Sequence, residues 1–123
     1  MKVIVTICSR EKNSATELLP ATERYVGEHI KLAQVEANRL NIPLYILSGE
    51  YGLIASDELI HEYDYLLEKE SDGLTKLVAA QAREAGITEV DFYYKDKEAW
   101  VPYNKTLRMA CGLAGIVLHF QRL

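Results

Sequence analysis

Cys8, Ser9, Arg10 and Lys12 stand where an apolar run, Val3 to Ile7, switches abruptly to polar residues. Ser48, Glu50 and Tyr51 stand at a second such switch, after Leu44-Tyr45-Ile46-Leu47, in a turn flanked by Gly49 and Gly52. Arg10 offers a forked donor and Lys12 a point charge, the pair of groups that cradles an anion. Pro20-Ala21-Thr22-Glu23 reads as a helix entry, whose free N–H groups and positive partial charge would reinforce that cradle. Arg24 and Tyr25 in its first turn would join it. Cys8 reads in two ways. It is either a small buried hydrophobe, as most free cysteines are, or a thiolate whose pKa is lowered by the neighbouring cations. No histidine is placed beside it, because His29, His61 and His119 fall on a helix, a loop and the last strand. Tyr63-Asp64 is either a structural corner or the source of a general base or cation stabiliser, with Asp64 in that role. Ser48 would position an anionic group and Tyr51 would stack or donate.

These residues need elements to hold them. Residues 2–8 are β-branched and apolar without polar alternation, the pattern of a central strand buried on both faces. Residues 13–20 form a loop. Val26, Ile30, Ala33, Ala37 and Leu40 recur at helical spacing and predict one helix over 21–40, stopped by Asn41 and Pro43. Residues 43–48 form the second strand. Residues 49–70 fit neither pattern and read as an irregular functional segment. Leu74, Leu77, Val78, Ala82 and Ala85 mark a second helix from Ser71-Asp72, ended by Gly86. Residues 88–94 form the third strand. Pro102 begins a third helix whose buried face is Tyr103, Leu107, Ala110 and Ala114, and residues 116–121 form the fourth strand. This order predicts a single α/β domain over 1–123, a three-layer sandwich with a mostly parallel four-stranded sheet in the order 2-1-3-4 and helices on both faces. The ligand crevice would open where the chain reverses direction around strand one. Phe92, Tyr93, Tyr94, Trp100 and Tyr103 cluster around the end of strand three. Most belong to the core, and one or two facing the crevice would stack on a planar base.

Composition narrows the partners. A net charge of −4 argues against a broad basic surface for duplex DNA, whose phosphates dominate affinity, and leaves room for a small anion pocket. No apolar run approaches the roughly 20 residues of a membrane span. The run after Met1-Lys2 breaks too early for a signal peptide, so a cytoplasmic location is expected. Cys8 and Cys111 form no metal-ligand pattern. Asp57, Glu58, Glu62 and Asp64 are the carboxylates suited to Mg²⁺, and they read more simply as a solvated acidic loop. No metal or cofactor is expected, and nothing in the chain bears on its oligomeric state.

The order Cys8-Ser9-Arg10-Glu11-Lys12, Pro20-Ala21, Tyr25-Val26-Gly27, Leu47-Ser48-Gly49-Glu50-Tyr51-Gly52-Leu53 and Tyr63-Asp64 resembles an uncharacterised bacterial and phage family. Its pattern is Cys-Ser-x-x-Lys, Pro-Ala, Tyr-x-Gly, Leu-Ser-x-x-Tyr-Gly-Leu and Tyr-Asp. The resemblance covers roughly the first 67 residues, with Glu62 where that pattern has proline. The family is similar in outline to the YaaA peroxide-stress proteins, to a domain of archaeosine synthases, and through them to the uracil-DNA glycosylase type of sandwich. No catalytic motif of the glycosylases is present, so the resemblance implies a fold and a ligand class rather than a reaction. It implies a crevice for a nucleobase, nucleotide or modified base. Cys8, Ser9, Arg10, Lys12, Tyr25, Ser48 and Glu50 would bind, and Tyr51 and Asp64 would be the reactive groups if an N-glycosidic or related bond is cleaved. The alternative is a non-catalytic module that senses a nucleotide or recruits a partner.

Overall fold

The computed structural model describes residues 1–123, and its elements run β1 (Lys2–Ile7), β2 (Leu19–Pro20), α1 (Ala21–Arg24), α2 (Glu28–Leu40), β3 (Leu44–Ser48), β4 (Gly52–Ala55), β5 (Leu59–Ile60), α3 (Asp72–Glu84), β6 (Glu89–Tyr94), a 3-10 turn (Glu98–Trp100), α4 (Val101–Ala114) and β7 (Val117–Arg122). The main sheet has the order β4-β3-β1-β6-β7. β1 pairs in parallel with β3 and β6, and β6 in parallel with β7. These four strands are neighbours in the order expected from the sequence. The sheet has five strands rather than four, because β4 folds back antiparallel on β3 with Leu53 opposite Leu47 and Ile54 opposite Ile46. Gly52 makes that reversal possible. Its φ of +75° is left-handed, and a Cβ there would lie 2.4 Å from Oε1 of Gln81. Gln81 ties the turn down, accepting from Leu53 N–H at 2.7 Å and donating to the Tyr51 carbonyl at 3.0 Å.

Alternation along the strands divides the core. Ile4 and Leu44 join Ala33 and Ala37 of α2 on one face. Val3, Val5 and Ile7 join Val78, Ala79 and Ala82 of α3 and Leu107, Ala110 and Cys111 of α4 in the larger core. Helices therefore cover both faces. Ser71 starts α3 as its N-cap, accepting from Leu74 N–H at 3.1 Å, the ordinary role of serine at that position.

The helix expected over 21–40 is two helices. Tyr25 leaves α1 with an extended backbone, and Gly27 begins α2. The apolar spacing hides the break, since Val26 and Leu40 lie outside the buried face that His29, Ile30, Ala33 and Ala37 form. A Cβ on Gly27 would meet Ser9 Cβ at 2.7 Å and the His29 ring at 2.9 Å. Glycine there lets the loop after β1 press against the start of α2. Residues 49–70, expected to be irregular, contain β4 and β5, and β5 pairs antiparallel with β2 in a small second sheet.

Arg24 holds that second sheet to the loop before it. Its side chain is fully buried. The guanidinium donates to the carbonyls of Asn13, Ala15, Glu17 and Ile60, so carbonyl dipoles rather than a carboxylate solvate the charge. Arg24 is a structural clamp and not a member of an anion cradle.

Candidate functional site

The chain after β1 crosses to β3 on one side, and β6 returns on the other side of β1. That reversal is where open α/β sheets keep their ligand crevices, beyond the carboxyl ends of the strands. A cleft of about 650 Å³ lies there, within the roughly 300–1,000 Å³ usual for small-molecule sites. The loop after β1 supplies Cys8, Ser9, Arg10 and Glu11, and the loop after β6 supplies Lys95, Lys97, Glu98 and Trp100. His29 of α2, Tyr103 of α4 and Leu66, Leu67 and Glu68 close the rest.

Of the residues singled out by sequence, Cys8, Ser9 and Arg10 line the cleft, and so do Trp100 and Tyr103 of the aromatic cluster. The cradle of Ser9, Arg10, Lys12 and a helix N-terminus is not assembled as expected. Ser9 Oγ donates to the Glu11 carbonyl at 2.6 Å and accepts from Gly27 N–H at 3.2 Å. The ammonium of Lys12 turns away and lies 4.8 Å over the Tyr63 ring, a cation–π contact, while the Lys12 backbone bridges to Tyr25. The first N–H groups of α1 are already spent, Ala21 on the Glu58 carbonyl at 2.9 Å and Thr22 on the Ser56 carbonyl at 3.1 Å. Arg10 alone of that set is an exposed cation in the cleft wall.

Ser48, Tyr25 and Tyr51 sit behind the cleft in a tyrosine cluster. Ser48 Oγ accepts from the N–H groups of Glu50 and Tyr51, both at 3.1 Å, and lies 3.0 Å from the Tyr63 hydroxyl. With both lone pairs engaged, the serine must donate its own proton to Tyr63. Tyr63 then donates to Tyr25, whose hydroxyl is in direct contact with it. Edge-to-face contacts of Tyr63 with Tyr51 and Tyr25 complete the group. Burial pushes the Tyr25 and Tyr63 phenols up, so both stay protonated as this chain of donors requires. The Glu50 side chain is exposed, and so is Asp64, which faces a shallow depression adjoining the cleft across Leu66 and Glu68.

Cys8 forms the floor between the two regions. Its thiol donates to the Tyr103 hydroxyl at 3.5 Å, and that hydroxyl also accepts from Leu67 N–H at 3.0 Å. Burial pushes the Cys8 thiol up, against the opposing pull of Tyr103, the Gly49 N–H, Lys12 and Tyr63. The resting residue is a thiol rather than a thiolate.

Sequence reasoning missed His29 and, in the loop after β6, Lys95, Lys97 and Glu98. His29 is placed on a helix by its spacing, but Gly27 brings the start of that helix against β1. There His29 Nε2 lies 2.9 Å from the Ile7 carbonyl and the ring meets Trp100 edge-on at 4.9 Å. Burial lowers its pKa, helped by Lys95 and opposed by the Ile7 and Cys8 carbonyls and by Glu11. The signal for Lys95 to Trp100 was present, since it too follows an apolar strand. Away from the cleft, Glu89, Asp91 and His119 come together on β6 and β7. Lys2 already pairs with both carboxylates, at 3.7 and 3.3 Å.

A parallel-centred α/β sandwich with a mixed-charge cleft at the reversal of its strand order is the class this geometry defines. The chain belongs to a family of unknown function (DUF6884), whose model matches residues 3–101. The matched span carries every cleft residue on β1, α2 and the two loops. No curated protein and no solved structure matches the chain.

Proposed function

We propose that the chain binds a small nucleotide-like ligand in the cleft between the loops that follow β1 and β6. The observation that carries this reading is the cleft itself. It sits at the strand-order reversal, with cations on both lips (Arg10 on one, Lys95 and Lys97 on the other) and an aromatic wall of His29, Trp100 and Tyr103. Cations suit a phosphate, and aromatic edges suit a planar base. Glu11, Glu68 and Glu98 offset the cations, which favours a ligand with donors as well as negative charge over a bare anion. The motif resemblance in the first 67 residues supports the same ligand class. No helix of the chain is long and apolar enough to cross a membrane, and the free thiols of Cys8 and Cys111 suit a cytoplasmic protein.

Binding without turnover is the simpler form of the proposal, because Cys8 rests as a thiol and Asp64 lies outside the cleft wall. Cleavage of an N-glycosidic or related bond is the second form, favoured by the carboxylates of Glu11, Glu68 and Glu98 at the cleft. Thermal unfolding with nucleosides, nucleotides and modified bases tests the ligand class. A ligand at about 100 times its Kd adds about 2.7 kcal/mol by mass action. Recovery of that ligand intact indicates a binding module, and conversion to product an enzyme. Absence of stabilisation across the whole panel would refute the ligand class.

A further inference from the structure

Resting on the reading of the cleft as a ligand site, we infer that His29 Nδ1 is the hydrogen-bond acceptor that reads an N–H donor on the edge of the bound base. Three observations converge on that nitrogen. Nε2 is committed, because it lies 2.9 Å from the Ile7 carbonyl, which accepts only. The proton of the neutral ring must therefore sit on Nε2, and Nδ1 keeps its lone pair. Nδ1 makes no hydrogen bond within the chain, and it is not among the sealed polar atoms, which are Arg24 Nε, Thr75 Oγ1 and Asn104 Oδ1. The residue is nine-tenths buried and lines the cleft. A free acceptor on a buried residue that lines a ligand cleft is matched by a ligand donor.

The surroundings hold the ring in place. Trp100 meets it edge-on at 4.9 Å, and the Ile7 carbonyl fixes its tilt. Gly27 keeps the flank of the nitrogen clear, since a Cβ there would lie 3.1 Å from Nδ1. A base presenting only lone pairs at this point would face the Nδ1 lone pair, and a base presenting N–H would pair with it. His29 would thus sort bases by their donors, while Arg10, Lys95 and Lys97 serve the anionic end.

Long-range ¹H–¹⁵N spectra of the imidazoles in the whole chain test the acceptor directly. The expected His29 signature at pH 7.5 is neutral, protonated on Nε2 and bare on Nδ1. A proton on Nδ1 would overturn the inference whatever ligands do. Affinities for matched pairs then test its use: inosine monophosphate against its 1-methyl form, and adenosine monophosphate against its N6,N6-dimethyl form. In the wild type, removing the N–H from a pair that binds should weaken it about tenfold, since one buried acceptor loses its partner. In His29→Phe, which keeps an aromatic ring against Trp100 and offers no acceptor, the same methylation should cost less than about twofold. Equal affinity of both members in the wild type would overturn the inference. If no nucleotide binds, the ligand-class proposal fails by itself, and diethyl pyrocarbonate decides the status of His29. Acylation at Nδ1 supports an acceptor open to the cleft, and full protection overturns it.

Discussion

Replacing Arg24 by methionine should cost about 3–5 kcal/mol of stability, because one fully buried side chain donates to four carbonyls. Methionine keeps most of the apolar stem and fills the site, so the loss isolates the guanidinium. The bond to Ile60 is buried, whereas those to Asn13, Ala15 and Glu17 are only partly so. A buried unsatisfied carbonyl costs about 1–3 kcal/mol. The other three recover some hydration but lose a charge-assisted bond, which brings the sum to the stated range. Arg24→Lys should cost roughly half as much, since an ammonium keeps the charge yet cannot span carbonyls from both the loop and β5. Urea unfolding reads this directly. For an m value of about 1.5 kcal/mol/M the methionine variant should shift the midpoint down by roughly 2–3 M with m unchanged. A shift below about 0.5 M for methionine would refute the clamp and return Arg24 to the list of free cations.

Gly27→Ala should destabilise by about 1–3 kcal/mol through overpacking, with backbone amide shifts in Ser9–Glu11 and His29, because the new Cβ meets Ser9 Cβ at 2.7 Å. Both cysteines should react slowly with a thiol reagent at pH 7.5 in the folded chain and rapidly in urea, since burial pushes the Cys8 thiol up and the Cys111 thiol to about 11; immediate labelling of Cys8 in the native state would contradict the geometry of the cleft floor. His29 binds its proton at lower pH in the folded chain than its ordinary 6.5, so the unfolded chain holds more protons as pH falls through that value. Stability should therefore decline below about pH 6.5, less steeply in His29→Gln, and identical pH profiles for the two proteins would contradict it.

Much of this arrangement is legible in the sequence. Val3 to Ile7 and Leu44 to Leu47 carry continuous apolar runs, so their place in the middle of a parallel sheet followed from patterning alone. β4 was missed because Gly-Leu-Ile-Ala is too short to show a period, and its pairing depends on Gly52 and Gln81, which are far apart in sequence. The break at Gly27 was missed because the apolar spacing runs through it. The anion cradle expected at Ala21 is left unmade for a separate reason, at the other end of α1. A continuous helix from Ala21 would offer its N-terminus to an anion, whereas the real α1 spends its N–H groups on Ser56 and Glu58. Reading strand ends as site positions found the loop after β1. Applying that rule to β6 as well would have added Lys95, Lys97 and Glu98 to Trp100, which the aromatic cluster had already marked. His29 was beyond reach, because its proximity to Ile7 is a tertiary fact set by close packing at a glycine.

The central claim is that the cleft beyond β1 and β6 is where this chain meets a nucleotide-like ligand. Titrating ¹⁵N-labelled protein with nucleoside monophosphates and mapping the amide shifts tests it most directly. The account predicts saturable changes confined to Cys8–Glu11, the start of α2 at His29 and Lys95–Trp100. Saturable changes centred instead on Glu89, Asp91 and His119, or no changes with any member of the series, would contradict it.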